Sequence, residues 1–417
     1  MEDMEKRVAV IGGGYAGIAA AFALSESGIP VTLFESSKTL GGRARGLDCN
    51  GARIDNGQHI LLGCYRETLA LIEKTCKIPE PFFRMPLELA VDAFRLGAFP
   101  LPPPFDLLFG LLFSKGVSLA EKLRAIRFVA KARSLELQAD ISVETLLESH
   151  AQGSGITNFL WKPLCIAALN TPIETASARV FLAVLKDGLS GRGSDLLIPK
   201  VDLSSLFPTG AAEIIRENGG GILTSSPVRF VRKSSGGFEV STDSTSRHFS
   251  HAILAVAPQH LARLARDLPE IKLPDFGYQP ICTIYSQYPE TTRLPRKMTG
   301  FSQGLAQWLF DRGSGLIAAV ISAEGKHLAL PHSELAAEVH EETRSVIPGL
   351  PPPLWQKVIV EKRATFSCTV DVERPEQKTT LPGLYLAGDY TAGKYPATLE
   401  AAVLSGLACA NQIRLSP

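Results

Sequence analysis

The sequence predicts an α/β protein: a Rossmann-like dinucleotide-binding domain, discontinuous along the chain, with a second α+β domain inserted into it. Three observations carry this reading. A β-branched run, a glycine-rich turn, an alanine-rich helical segment and a second apolar run follow one another within the first 35 residues. Short strand-like runs return between residues 219 and 256, after a long stretch of different pattern. A last strand, glycine turn and apolar helix occupy residues 383 to 413.

Val8-Ala9-Val10-Ile11 reads as a buried parallel strand, and Gly12-Gly13-Gly14-Tyr15-Ala16-Gly17 follows at once. Gly12 permits a sharp turn, Gly14 lets a pyrophosphate approach the backbone, and Gly17 lets the next helix pack on the strand. Tyr15 and Ala16 open that helix, whose free amides and partial positive charge suit phosphate. The helix runs from Ala16 to Leu24 and ends at Gly28 and Pro30. Val31 to Phe34 is the second strand. Glu35 closes it, 18 residues past Gly17, where a carboxylate accepts bonds from ribose hydroxyls.

Leu40-Gly41-Gly42-Arg43 comes next, allowing a second close backbone approach, with Arg43 forked onto a phosphate. Residues 74 to 195 read as mostly helical, broken by prolines at 100 to 104. Strands are expected at 221–224, 228–231, 238–240 and 251–255, and again at 383–387, with a final helix from Leu399 to Ile413. The cofactor domain is therefore assigned to residues 1–75, 196–260 and 363–417, and the substrate domain to 76–195 and 261–362.

Composition narrows the function classes. A net charge of +1 over 417 residues offers no field for nucleic acid. Seven cysteines with no C-x-x-C spacing argue against a disulfide framework or a metal site and for a reducing, cytoplasmic location. The apolar stretch Leu96 to Phe113 holds four prolines and Asp106, which rules out a spanning helix. It reads as a loop entering a buried helix, as a monotopic insertion, or as the wall of a lipid tunnel. The basic run Lys122 to Arg133 reads as an amphipathic helix with a solvated face, or as a contact with the inner surface of the cytoplasmic membrane.

A strand ending in Glu35 and followed by Leu40-Gly41-Gly42-Arg43 resembles the extended fingerprint of the flavoprotein superfamily of amine oxidases, phytoene desaturases and protoporphyrinogen oxidases. Ser226-Pro227-Val228 is similar to its adenine-facing strand, Ala252 to Pro258 to its "ILA-V-P" strand end, and Leu386-Ala387-Gly388-Asp389 to its C-terminal flavin motif. The resemblance implies FAD. Asp389 would serve the ribityl or pyrophosphate, and the amides around Thr398 and Leu399 would face the flavin N1/O2 edge.

Ile54 to Gly63 (IDNGQHILLG), Trp161 to Pro172 (WKPLCIAALNTP) and Gly388 to Thr391 (GDYT) further resemble the squalene-associated FAD-dependent desaturases, the bacterial hydroxysqualene dehydroxylases of hopanoid biosynthesis. That resemblance implies reductive loss of a hydroxyl from hydroxysqualene to give squalene, by departure of water and hydride transfer from reduced flavin. Gly57 would lie on the flavin. His59 is the first candidate for the acid that protonates the leaving hydroxyl. Gln58 and His59 alternatively bond the flavin ring or buried backbone. Trp161 and Asn170 are candidates for the substrate wall, although core packing is the commoner role for tryptophan. The partners implied are a hydrophobic triterpene and an electron donor, NADPH or a reductase. The oligomeric state is not readable. A carotenoid-type desaturase and a non-enzymatic isoprenoid escort protein are the alternatives.

Overall fold

The computed structural model describes residues 6–188 and 192–416. Five parallel strands form the central sheet in the order Gly221–Leu223, Val31–Phe34, Val8–Ile11, His251–Leu254, Leu384–Leu386. Alternation along each strand feeds two cores. Val8, Val10, Leu33 and Ile253 face the helices Tyr15–Glu26, Pro208–Glu217 and Leu399–Leu415. Ala9, Ile11, Phe34 and Leu254 face a three-stranded antiparallel meander, Phe230–Ser234, Gly237–Ser241 and Ser246–Phe249. The first and last helices cross closely at Gly406, where a Cβ would lie 2.1 Å from the Ala16 carbonyl.

The inserted domain carries a seven-stranded sheet. Its order is Trp355–Phe366, Tyr278–Gln287, Leu316–Ser322, Trp308–Gly313, Met298–Gly300, Glu88–Val91, Phe94–Gly97. One face holds Ile284, Leu309 and Ile321 against helix His332–Val346. The other holds Tyr285, Phe310 and Val320 in one core with the helices between residues 105 and 188.

Several expectations are corrected. Residues 82–97 form three strands, not helix: Phe82–Met85, Glu88–Val91 and Phe94–Gly97. Each is four residues long, and Asp92 takes a positive φ of 47° in the turn between the last two, so no helical period was present to read. Phe82–Met85 pairs with Leu196–Pro199, which also pairs with Leu61–Leu62, so it belongs with the cofactor-domain segments despite falling after residue 75. Strand Trp355–Phe366 runs through the boundary placed at 362/363, and helix Pro258–Leu264 through that at 260/261. The meander begins at Phe230, leaving Val228 in the extended link before it.

Candidate functional site

The glycine turn has the geometry its spacing implies. Gly12 has φ +113°, and a Cβ there would lie 2.3 Å from the Ala255 carbonyl oxygen; at Gly17 a Cβ would lie 2.0 Å from the Gly12 oxygen. Both positions are therefore closed to side chains by packing. Gly14 differs: its φ is −76° and the nearest atom to an added Cβ is the Gly42 Cα at 3.9 Å. Its absent side chain leaves room for a ligand, not for a neighbouring element. The second glycine loop lies alongside, with the Gly41 amide donating to the Gly13 carbonyl at 2.8 Å. Gly41 and Gly42 both have positive φ, 117° and 61°, which only glycine adopts cheaply.

Glu35 ties these pieces together. Its Oε2 accepts from the Gly13 amide at 2.6 Å and its Oε1 from the Ser37 amide at 2.7 Å. Its carbonyl accepts from Ser226 at 2.8 Å, which brings Val228 beside the strand end. Tyr15 is not free for a ligand: its hydroxyl donates to the Leu203 carbonyl at 2.9 Å and its ring packs on Phe207. Its contribution is the backbone at the helix start.

Arg43 reaches from the second glycine loop to the far end of the chain. Its Nη2 lies 2.5 Å from Asp389 Oδ1, and its Nη1 donates to the Ala364 carbonyl at 2.6 Å. Glu361 and Asp389 hold its guanidinium charged against the cost of burial. Arg43, Asp389, Tyr278, Arg363 and Tyr390 line a narrow cleft at the carboxyl end of the central sheet, closed by Ala257 and Pro258. The loop from Asp389 to Tyr395 is braced by Arg374, which donates to the carbonyls of Asp389, Gly393 and Tyr395 at 2.8, 2.9 and 2.7 Å. Nothing local marks Arg374 in the sequence, since its partners are 15 to 21 residues away. Lys394 and Tyr395 turn from the cleft to Asp187, at 2.8 and 2.6 Å. Thr398 caps the last helix by accepting from Ala401, and Glu400 is buried, taking the Glu67 and Thr68 amides at the start of helix Arg66–Thr75.

The Asp55 to His59 segment lies between the two domains. Asp55 is fully buried and accepts the Leu203 amide at 2.7 Å, and burial pushes its carboxyl up to about 7 despite Arg312 at 3.8 Å. Gly57 has φ +151°. The Gln58 amide donates to Thr283 Oγ1 of the inserted sheet at 3.2 Å. Its side-chain Nε2 donates to the His59 carbonyl at 2.7 Å, which fixes the amide orientation and leaves Oε1 buried with no partner.

His59 is oriented by its own segment. Its Nδ1 lies 2.8 Å from the Gly57 carbonyl, an atom that only accepts, so Nδ1 carries the proton and Nε2 of the neutral ring is an acceptor. Burial lowers its pKa, as do Arg43 and Arg312, outweighing the Gly57 bond. In the neutral form, with the proton on Nδ1, Nε2 is an acceptor. Gln58 and His59 together present two acceptors, which suits a ligand N–H or O–H.

Trp161 and Asn170 take other roles. Trp161 is 2% exposed, edge-on to Phe128, with Nε1 donating to Gln152 at 2.9 Å. Asn170 ends helix Lys162–Leu169 in the left-handed region, with φ +47°. Its Nδ2 donates to Thr365 Oγ1 at 3.0 Å and the Pro280 carbonyl at 3.3 Å, and its Oδ1 accepts from Ala323 at 2.8 Å. It is a brace between the helical layer and the sheet, with no polar atom left for a substrate.

The description of flavin-containing amine oxidoreductases matches residues 15–414. The chain belongs to that family. Within it, the chain is 30% identical to the hydroxysqualene dehydroxylase of Rhodopseudomonas palustris, covering 98% of this chain and 99% of that one. It is 28% identical to the enzyme of the same name from Zymomonas mobilis, covering 96% and 97%. Identity to the zeta-carotene desaturase of Zea mays is 24%, over 96% of this chain and 82% of that one. The solved structure of an oxidoreductase from Methanosarcina mazei shares the fold, with a TM-score of 0.73 at 16% identity, covering 96% and 99%.

The site of this flavin-containing amine oxidoreductase fits a flavin dinucleotide. The open Gly14 wall accommodates a pyrophosphate, Arg43 and Arg363 bring positive charge to the cleft, and Gln58 Oε1 and the Tyr390 hydroxyl are buried polar atoms without partners. Among the described residues, no group of three or more His, Cys, Asp or Glu converges on a metal position, and no helix is long and apolar enough to cross a membrane.

Proposed function

We propose that this chain is an FAD-dependent hydroxysqualene dehydroxylase, which reductively removes the hydroxyl of hydroxysqualene to give squalene. The observation that carries the reading is similarity over nearly the whole of both chains to proteins of that name, at higher identity than to the carotenoid desaturase. FAD, when reduced, supplies the hydride that replaces the hydroxyl. The chain's own residues bind and orient it. The glycine turns take the pyrophosphate, Glu35 the adenosine ribose, and Asp389 with Arg43 the ribityl–phosphate junction. The amides around Thr398 and Leu399, at the start of the last helix, would serve the flavin ring edge.

The substrate side is apolar. Tyr285, Phe310, Val320 and the helical layer share one core, and a substrate held against it would have its carbocation-like carbon kept from water. Gln58 Oε1 and His59 Nε2 would accept from a donor, and the Tyr285 hydroxyl is a further buried polar atom without a partner. An amine-oxidising site is not favoured, because an aromatic pair is not available: Tyr395 is bonded to Asp187, away from Tyr390. Retention of every phosphate-binding glycine separates the chain from a flavin-free escort protein.

The purified protein is expected to be yellow. Reduced with dithionite under anaerobic conditions, it is expected to convert hydroxysqualene to squalene, read by mass spectrometry of the extracted lipid. A colourless protein that takes up no added FAD would sink the enzyme reading. A desaturated product from a carotenoid precursor, with no squalene, would place the chain with the desaturases.

A further inference from the structure

The prolines at 100–104 lead into helix Phe105–Phe113, whose sequence FDLLFGLLF is apolar apart from Asp106. Only one side of it is buried. Leu107, Gly110 and Leu111 point inward, and Gly110 sits so tightly on the hairpin end that a Cβ would lie 2.5 Å from the Gly97 carbonyl. Phe105, Phe109 and Phe113, four residues apart, therefore share the outer face, exposed by 54, 41 and 59%. Phe99 joins them, its ring centroid 6.3 Å from Phe109 and 5.4 Å from Phe113. Leu101, Leu119 and Leu123 extend the surface, so that seven of the eleven exposed large apolar side chains among the described residues lie within 25 positions of the chain. Such concentration is unlike the scatter of single apolar residues on an ordinary protein surface.

Exposed cations outnumber exposed carboxylates along this stretch, with Asp92 and Glu136 at its two ends. Lys115, Arg124, Arg127, Lys131 and Arg133 are exposed and form no ion pair among the described residues. The two carboxylates between residues 93 and 135 are withdrawn: Asp106 is buried, and Glu121 turns in to bond Ser118 and the Ile156 amide. The whole chain carries only +1, so the excess is local. A second copy docked here would set these cations against each other. Aromatic and leucine side chains ringed by unpaired lysine and arginine instead match the headgroup and acyl boundary of an anionic bilayer.

We propose that the face formed by Phe99, Phe105, Phe109, Phe113, Leu119 and Leu123 docks the protein on the surface of an anionic lipid bilayer, without spanning it. The inner side of the same helix, through Leu107 and Leu111, packs in the core shared by Phe128, Trp161 and Phe310. The docked surface thereby backs directly onto the apolar interior of the inserted domain. The inference rests on the surface alone and stands whether or not the substrate assignment holds.

The test is co-sedimentation of the flavin-loaded protein with extruded vesicles. Binding is expected to vesicles of equal parts phosphatidylglycerol and phosphatidylcholine, weaker binding to phosphatidylcholine alone, and a decrease with salt. The double variant Phe109→Ser/Phe113→Ser is expected to lower the partition coefficient about tenfold or more. Arg124→Glu/Lys131→Glu is expected to reduce binding to the anionic vesicles only. Leu101→Trp gives a readout independent of lost folding: bromine-labelled lipid is expected to quench its added fluorescence. A wild-type protein that stays in the supernatant, or a Leu101→Trp emission unaffected by brominated lipid, overturns the proposal. So does a dimer in light scattering that the phenylalanine variant dissociates, since that would give the face to a second copy.

Discussion

Replacing Asn170 by alanine separates a brace from a substrate contact. The change removes the bonds from Nδ2 to Thr365 and Pro280 and strands the buried Ala323 amide that Oδ1 accepts. A buried donor left without a partner costs about 1–3 kcal/mol, and the lost Thr365 bond adds roughly 1. Alanine at φ +47° adds about 1 more. The expected loss is about 3–5 kcal/mol. Unfolding entropies of about 2.1 cal/mol/K per residue convert this, for a 417-residue chain, to a fall in Tm of about 3–6 °C. Thermal unfolding of the flavin-loaded protein, followed by flavin fluorescence and by circular dichroism, measures it. Asn170→Gly, which keeps the backbone conformation, is expected to recover part of the loss. A Tm within about 1 °C of wild type together with a tenfold higher KM would refute the reasoning and return Asn170 to the substrate wall.

Gly14→Ala is expected to fold normally, since nothing lies within 3.9 Å of the added Cβ, yet to weaken FAD binding at least about tenfold. Apo-protein Tm and flavin titration check the two halves separately. Arg43→Ala is expected to release flavin on dialysis, read from the visible absorbance per protein, because the cleft loses a cation and Asp389 loses its partner. Asp55→Asn tests the buried carboxyl. Folding raises its pKa from 3.8 to about 7, so the native state keeps a proton that the unfolded chain releases between those values. Its contribution is fully present below pH 3.8 and is lost as pH rises toward 7. The wild type is therefore expected to lose stability against Asp55→Asn between pH 5 and pH 8, by up to several kcal/mol in denaturant titrations. Parallel curves would show that Asp55 titrates normally.

What was legible in the sequence was what depends on near neighbours. The strand, turn, helix and strand from Val8 to Phe34 could be read because each glycine acts within a few residues of its cause. Gly388-Asp389 was legible as a strand end for the same reason. The roles that changed depend on partners far along the chain. Asn170 is held by residues 109 to 195 positions away. The tautomer of His59 follows from a carbonyl two residues back, but its lowered pKa comes from burial under the inserted domain. Tyr15 opens the helix as its motif implies, but that its hydroxyl and ring are held by Leu203 and Phe207 could not be read locally. Arg374 has four carbonyl partners in one loop and no local pattern to announce it.

The crossing of Gly406 on Ala16 bears on how the protein is made. The helix that carries the glycine turn packs on a helix synthesised nearly 400 residues later, and the strand beside Val8–Ile11 comes from residues 251–254. On the ribosome, the first 35 residues therefore emerge with their apolar face bare and wait for most of the chain. Cofactor capture becomes a late event in biogenesis. A chain that stopped before Leu384 would carry the amino-terminal fingerprint without the edge strand, Asp389 or the helix that packs on it.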